Sequence, residues 1–297
     1  MKNLLIVFSI LMLTTLTFAD ELNVVTTYPY IANIVEQIGK EKVNVIALAK
    51  GEWDPHIIVP KPSFIGKLRK ADLLIMNGAQ LEIGWLPSLM RQANNLKIQV
   101  GTQGLLDLSK HVELIDAHSS ISRAQGDIHP DGNPHFYLDF ENIIKIASAI
   151  TQKLSEVDPG NKLTYEQNKT VFLEKFDQKK KEWINKLGTL KGTKVIEYHK
   201  LFDYLIRRIG VDLVGTIEPL PGISPTSRHI EELGKIISSS NVNIILQDVY
   251  HSDDASVFLA KKYNLKLKVL PHDLGAVKNT DDIFAFYDEI IRRLTND

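Results

Sequence analysis

The chain has 297 residues, 44% of them hydrophobic, with 35 basic against 36 acidic side chains and a formal net charge of -1. That size and apolar share suffice for an ordinary core and predict two domains, while the balanced charge gives no basic footprint for nucleic acid or anionic lipid. Cysteine is absent, which excludes disulfides.

At the N-terminus Lys2 precedes an apolar run from Leu4 to Phe18, and Thr17-Phe18-Ala19 offers small residues at both cleavage-determining positions. Residues 1–19 are therefore expected to be a secretory signal, with cleavage after about Ala19. The run is shorter than a spanning helix and is followed at once by Asp20 and Glu21. With no thiol to carry a lipid anchor, the mature chain is expected in the periplasm of a Gram-negative host, with no membrane insertion after cleavage.

Short β-rich runs are predicted at Leu22 to Thr26, Val43 to Ala47, Leu73 to Met76 and Ile98 to Val100, with helical patterns at Ile31 to Gly39 and Pro62 to Lys70. Residues 113–131 are polar, rich in Ser, Asp and His, and lack a period, so they are expected to form a mobile loop. That loop would deliver His118 and His129 near His135, where they could help gather metal. Asp158-Pro159-Gly160-Asn161 supplies an N-cap acid and a proline at the first helical position, and Lys162 to Leu187 contains neither Gly nor Pro. A single helix of about 40 Å is predicted there, with Leu163, Tyr165, Val171, Phe172, Phe176, Trp183, Ile184 and Leu187 packing on both lobes. The lysine run 179–181 within it reads as a solvated face.

The second half repeats the pattern. Strands are expected at Thr193 to Glu197, Asp212 to Gly215, Asn243 to Gln247 and Leu265 to Val269, with helices at Lys200 to Ile209, Ser227 to Ser238 and Ser252 to Tyr263. The predicted fold class is α/β: two Rossmann-like lobes with parallel sheets, residues 20–157 and 188–297, joined by one long helix within 158–187.

Three histidines each follow a turn or strand end, in Trp53-Asp54-Pro55-His56, Asn133-Pro134-His135 and Tyr198-His199. Proline before a histidine biases the chain away from αR and makes an irregular turn that can aim an imidazole into a crevice at strand ends. Three imidazoles on one scaffold suggest a metal site, and each ring needs its other nitrogen hydrogen-bonded, so carboxylates or carbonyls are expected behind them.

These motifs resemble the substrate-binding proteins of bacterial zinc and manganese ABC importers, the cluster A-I family that includes ZnuA and TroA. The resemblance also rests on Pro60, Pro62-Ser63, Leu138-Asp139, Thr27-Tyr28-Pro29-Tyr30, the helix after Pro159 and Glu218-Pro219, and it covers nearly the whole mature chain. It implies a metal held in the interlobe cleft, with His56 and His135 from the first lobe and His199 from the second. The family usually adds a carboxylate near the C-terminus. Here Leu270-Pro271-His272-Asp273-Leu274-Gly275 places His272 where that aspartate would stand and keeps the residue type one position later, at Asp273. Neighbours in an extended segment point to opposite sides, so one of the two is expected to reach the ion, with Asp273 favoured, His272 the alternative and water filling the position if neither reaches.

Three neutral imidazoles with at most one carboxylate suit Zn²⁺, with Mn²⁺ as the alternative. The implied role is capture of the ion outside the cytoplasm and delivery to a cognate ABC permease in the inner membrane, by a monomer without enzymatic activity. Two other readings stay open: a secreted zinc hydrolase using Glu197, Glu218 or Asp54 as general base, and a metal-containing adhesin of the same fold. His111 and His251 belong to none of these motifs and are expected to be dispensable.

Overall fold

The computed structural model describes residues 21–117 and 129–296. The expected signal segment and His118 lie outside the described residues.

The first lobe is a sheet built from β1 (Leu22–Thr26), β2 (Val43–Ala47), β3 (Leu73–Met76) and β4 (Leu105–Asp107) in the order β2-β1-β3-β4, every pairing parallel. Its helices are α1 (Pro29–Gly39), α2 (Pro62–Lys70), α3 (Leu86–Ala93) and α4 (Phe140–Val157). Then comes α5 (Lys162–Leu187), the long helix. The second lobe repeats the topology: β5 (Lys194–Glu197), α6 (Asp203–Arg208), β6 (Asp212–Thr216), α7 (Ser227–Ser240), β7 (Ile244–Gln247), α8 (Asp254–Tyr263) and β8 (Lys266–Val269), with parallel strands ordered β6-β5-β7-β8, followed by α9 (Ile283–Thr295). In both sheets the chain order reverses beside the first strand, which opens a crevice at the carboxyl ends of the strands.

Local chemistry sets the boundaries. Proline occupies the first turn of α1, α2 and α3, where its missing N–H has no helical partner to lose. Asp139 caps α4 by accepting from Glu141 N, and Asp282 caps α9 by accepting from Phe284 N and Ala285 N. Asn94, Asn241 and Asn264 end α3, α7 and α8 in the left-handed conformation that asparagine tolerates better than most residues.

Helix α5 spans the residues predicted for it, but it buries only part of the expected apolar set. Tyr165, Phe172, Phe176, Trp183 and Leu187 are buried, whereas Leu163, Val171 and Ile184 are exposed. Burial follows the seven-four spacing of the first group, which keeps one stripe in register along a straight helix. That stripe packs on α1 and α4 and on α9. Trp183 lies against Phe140 and Tyr287 and donates through Nε1 to Asp288 Oδ1 at 2.8 Å. The last helix thus returns to the first half of the chain, where Asn33 Oδ1 accepts from Ile283 N. The lysine run is partly paired, since Lys179 reaches Asp288 and Lys180 reaches Glu141.

The strand expected at Ile98 to Val100 is a correction. Leu96–Ile98 is a 3-10 turn capped by Asn95, Val100 is exposed, and the fourth strand comes later, at Leu105–Asp107. Among the described residues no helix is long and apolar enough to cross a membrane.

Candidate metal-binding site

His56 and His199 follow the carboxyl ends of β2 and β5, whereas His135 lies in the connection from β4 to α4. The loop after β2 carries Asp54 and His56, and Asp54 Oδ1 accepts from His56 N at 2.9 Å while standing 3.0 Å from His56 Nδ1. One carboxylate therefore folds the turn and fixes the ring, turning Nε2 away from itself. Burial works to raise the Asp54 carboxyl, but the His56 ring and amide outweigh it and hold the pKa below the ordinary value. The loop is pinned on both sides, by Tyr28 OH donating to Pro55 O and by Gly51, where a Cβ would meet Leu274 O at 1.8 Å.

His135 follows Asn133-Pro134. Asn133 Oδ1 accepts from His135 N, its Nδ2 donates to Lys200 O, and its own carbonyl accepts from Tyr204 OH. The first-lobe turn is thus held by the second lobe. Asn77 Nδ2 donates to Pro134 O from below. Burial, then the neighbouring imidazoles, push the His135 pKa well below its ordinary value, so this ring is a neutral donor at physiological pH.

His199 lies two residues past β5, and its Nδ1 stands 2.7 Å from Glu218 Oε2. Its Nε2 is 3.4 Å from Nε2 of His135. His56, His135 and His199 each offer one ring nitrogen to a common point, all within 4.8 Å of one another, and among the described residues they are the group of three or more such donors that does so. Carboxylates stand behind two of the three rings, whereas His135 Nδ1 is buried without the expected hydrogen-bond partner.

His129 stands next to this group. Its ring stacks on His56 with centroids 5.4 Å apart, its Nε2 is buried without a hydrogen-bond partner, and burial with the His56 and His199 rings lowers its pKa to about 3.

Neither candidate from the C-terminal segment joins the group. Asp273 Oδ1 accepts from Tyr30 N at 3.0 Å and from Leu274 N at 2.7 Å, so it caps α1 from the far end of the chain. Burial raises its pKa to about 8. His272 Nε2 donates to Trp53 O at 2.9 Å, which ties the His56 loop to the second lobe, and burial lowers its pKa to about 4. Sequence adjacency to a family-like segment could not reveal that Asp273 Oδ1 and His272 Nε2 are engaged elsewhere, while His272 Nδ1 is buried without a hydrogen-bond partner.

The three acids open to a general-base role are engaged too. Glu197 Oε2 accepts from Leu201 N and Phe202 N, while Asp54 and Glu218 face imidazoles. Sequence reasoning missed His251, whose Nδ1 is 2.8 Å from Asp248 Oδ2 and whose Nε2 is 3.4 Å from Glu218 Oε1. Burial disfavours charge on that ring, but Asp248 and then Glu218 outweigh it and raise its pKa. His111 is exposed at the end of a 3-10 turn.

The lobes are joined around the site by more than α5. Arg208 forks onto both oxygens of Asp139 at 2.9 and 2.7 Å, and Lys200 and Arg207 both hold Asp116.

A family model described as "Zinc-uptake complex component A periplasmic" matches residues 24–296. The chain is 33% identical over 175 residues to a manganese ABC transporter substrate-binding lipoprotein of Streptococcus gordonii, covering 57% of this chain and 53% of that one. It is 25% identical over 278 residues to the high-affinity zinc uptake system protein ZnuA of Bacillus subtilis, covering 92% and 85%. The match spans 50–62% of the length of the streptococcal relatives. A crystal structure of ZnuA superimposes with a TM-score of 0.78 at 22% identity, covering 93% of this chain and 99% of that one, which shows a shared fold.

Proposed function

The chain belongs to the family of periplasmic zinc-uptake complex component A, and from that premise we propose that it captures Zn²⁺ outside the cytoplasm and delivers it to an ABC permease. The observation that carries the reading is the group of His56, His135 and His199, drawn from both lobes and directed at one point. Two nitrogens bound to one tetrahedral Zn²⁺ at ~2.0–2.1 Å stand roughly 3.3–3.4 Å apart, close to the 3.4 Å between Nε2 of His135 and Nε2 of His199. The ion would thus join a first-lobe turn to a second-lobe strand end with little rearrangement.

The relatives bear names of both zinc and manganese binders, and the choice of Zn²⁺ rests on the donor set. Three neutral nitrogens suit zinc, whereas Mn²⁺ prefers carboxylate, carbonyl and water oxygens. We assign the fourth position to His129, whose buried Nε2 lacks a hydrogen-bond partner and whose ring stacks on His56.

Capture rather than hydrolysis fits the same geometry, since Asp54 and Glu218 stand behind imidazoles and Glu197 holds the amides of Leu201 and Phe202. Release would come from a small tilt or loop movement, since α5 and the Arg208 and Asp116 ties oppose wide opening. Deletion of the gene should abolish growth in zinc-depleted medium and zinc supplementation should restore it. Normal growth with lost surface attachment would instead favour an adhesin. The streptococcal relatives are named as lipoproteins, and the signal-like segment at residues 1–19 together with the matched family supports a periplasmic location.

A further inference from the structure

We propose that His251 is a positioning residue of the metal site, acting through Glu218 on His199; the proposal rests on the reading that His199 is a ligand. The loop after β7 is built to hold this ring. Asp248 Oδ1 accepts from Tyr250 N and His251 N, and its Oδ2 stands 2.8 Å from His251 Nδ1, so one side chain folds the turn and fixes the imidazole. Tyr198 stacks on the ring with centroids 4.6 Å apart and planes 28° apart, and Tyr250 packs at 4.3 Å. The remaining nitrogen, Nε2, lies 3.4 Å from Glu218 Oε1, at ion-pair distance, and the ring itself is 5.9 Å from that of His199.

Glu218 is buried, and its two oxygens face two imidazoles, Oε1 toward His251 and Oε2 toward His199. Its backbone is fixed as well, with its N–H donating to Tyr198 O and its carbonyl accepting from Thr216 Oγ1. Rotation of the carboxylate would break its hydrogen bond with His199 and lose its ion-pair contact with His251. Without His251, Oε1 would lose its partner in a buried setting and the carboxylate would be free to turn, releasing His199 Nδ1. The tautomer that presents Nε2 to the ion would then no longer be selected.

Carboxylates directly behind metal-bound imidazoles change affinity by about 10–100-fold when removed, and a group one step further out should change it by less. Zn²⁺ affinity by chelator competition and the visible absorption of Co²⁺-substituted protein are measured for wild type, His251→Ala, His251→Gln, Glu218→Ala and the double variant. His251→Ala should weaken Zn²⁺ binding about three- to tenfold and alter the Co²⁺ band, with His251→Gln recovering part of the loss. In the Glu218→Ala background His251→Ala should add less than about twofold. The melting temperature of each metal-free variant separates loss of fold from loss of site. Wild-type affinity and an unchanged Co²⁺ band in His251→Ala would overturn the proposal, as would the same loss with and without Glu218. If the wild type itself binds no Zn²⁺, the transport reading falls first and this one with it.

Discussion

Replacing Asp273 by asparagine separates a capping role from a metal-ligand role. Its Oδ1 accepts from Tyr30 N and Leu274 N in a fully buried setting, and its pKa of about 8 means that the side chain is chiefly the neutral acid at pH 7. Asparagine keeps the accepting oxygen, so Asp273→Asn should preserve both bonds and leave Zn²⁺ affinity within about twofold of wild type. Alanine leaves two buried amides unpaired at about 1–3 kcal/mol each, so Asp273→Ala should cost roughly 2–6 kcal/mol of stability in the metal-free protein. A pH series adds a second signature. A carboxyl whose folded pKa is raised contributes stability that is full below the unfolded value near ~4 and is lost as pH rises toward 8, with a limiting slope of about 1.4 kcal/mol per pH unit. Asp273→Asn should remove that slope. Chelator competition and denaturant unfolding between pH 5 and 8 read both effects. A tenfold or larger drop in Zn²⁺ affinity in Asp273→Asn, with stability unchanged, would refute the capping role and make Asp273 a ligand.

Other expectations concern the site, its neighbours and the core. His56→Ala, His135→Ala and His199→Ala should each weaken Zn²⁺ binding by at least about 100-fold, since a four-donor site worth about 10–16 kcal/mol loses several per donor; His111→Ala should leave it unchanged, and equal losses across all four would refute the assignment. His129→Ala should weaken binding about tenfold while leaving the metal-free melting temperature in place, and a titration indistinguishable from wild type would remove His129 from the fourth position. Trp183→Ala should cost about 3–5 kcal/mol in denaturant unfolding, because the ring is fully buried between α4, α5 and α9; a loss under about 1 kcal/mol would contradict that packing.

The long helix was legible because its signals are local: a proline near the start, then 26 residues without Gly or Pro. Which of its apolar residues are buried was not, since Leu163, Val171 and Ile184 differ from their buried neighbours only by the face on which they fall. The run at Ile98 misled for a related reason, as a short apolar triplet does not distinguish a strand from a capped turn. At the site, proline-histidine turns announced His56 and His135, while Asp54, nominated only as a general base, stands behind the His56 ring. The relation of His251 to His199 runs through Glu218, the stacking of Tyr198 and a ring contact at 5.9 Å, contacts between separate strand ends that no spacing encodes. The fourth position stayed open because Asp273 and His272 are engaged by Tyr30 and Trp53, more than 200 residues away in the chain.

The most direct measurement is a chelator-competition titration of the metal-free protein with Zn²⁺ and Mn²⁺ in parallel, recording stoichiometry and affinity. One tightly bound Zn²⁺ per chain, with Mn²⁺ bound far more weakly and the zinc site lost in His199→Ala, is the predicted result. Preference for Mn²⁺, or zinc binding that survives loss of His199, would contradict a site built on these three imidazoles.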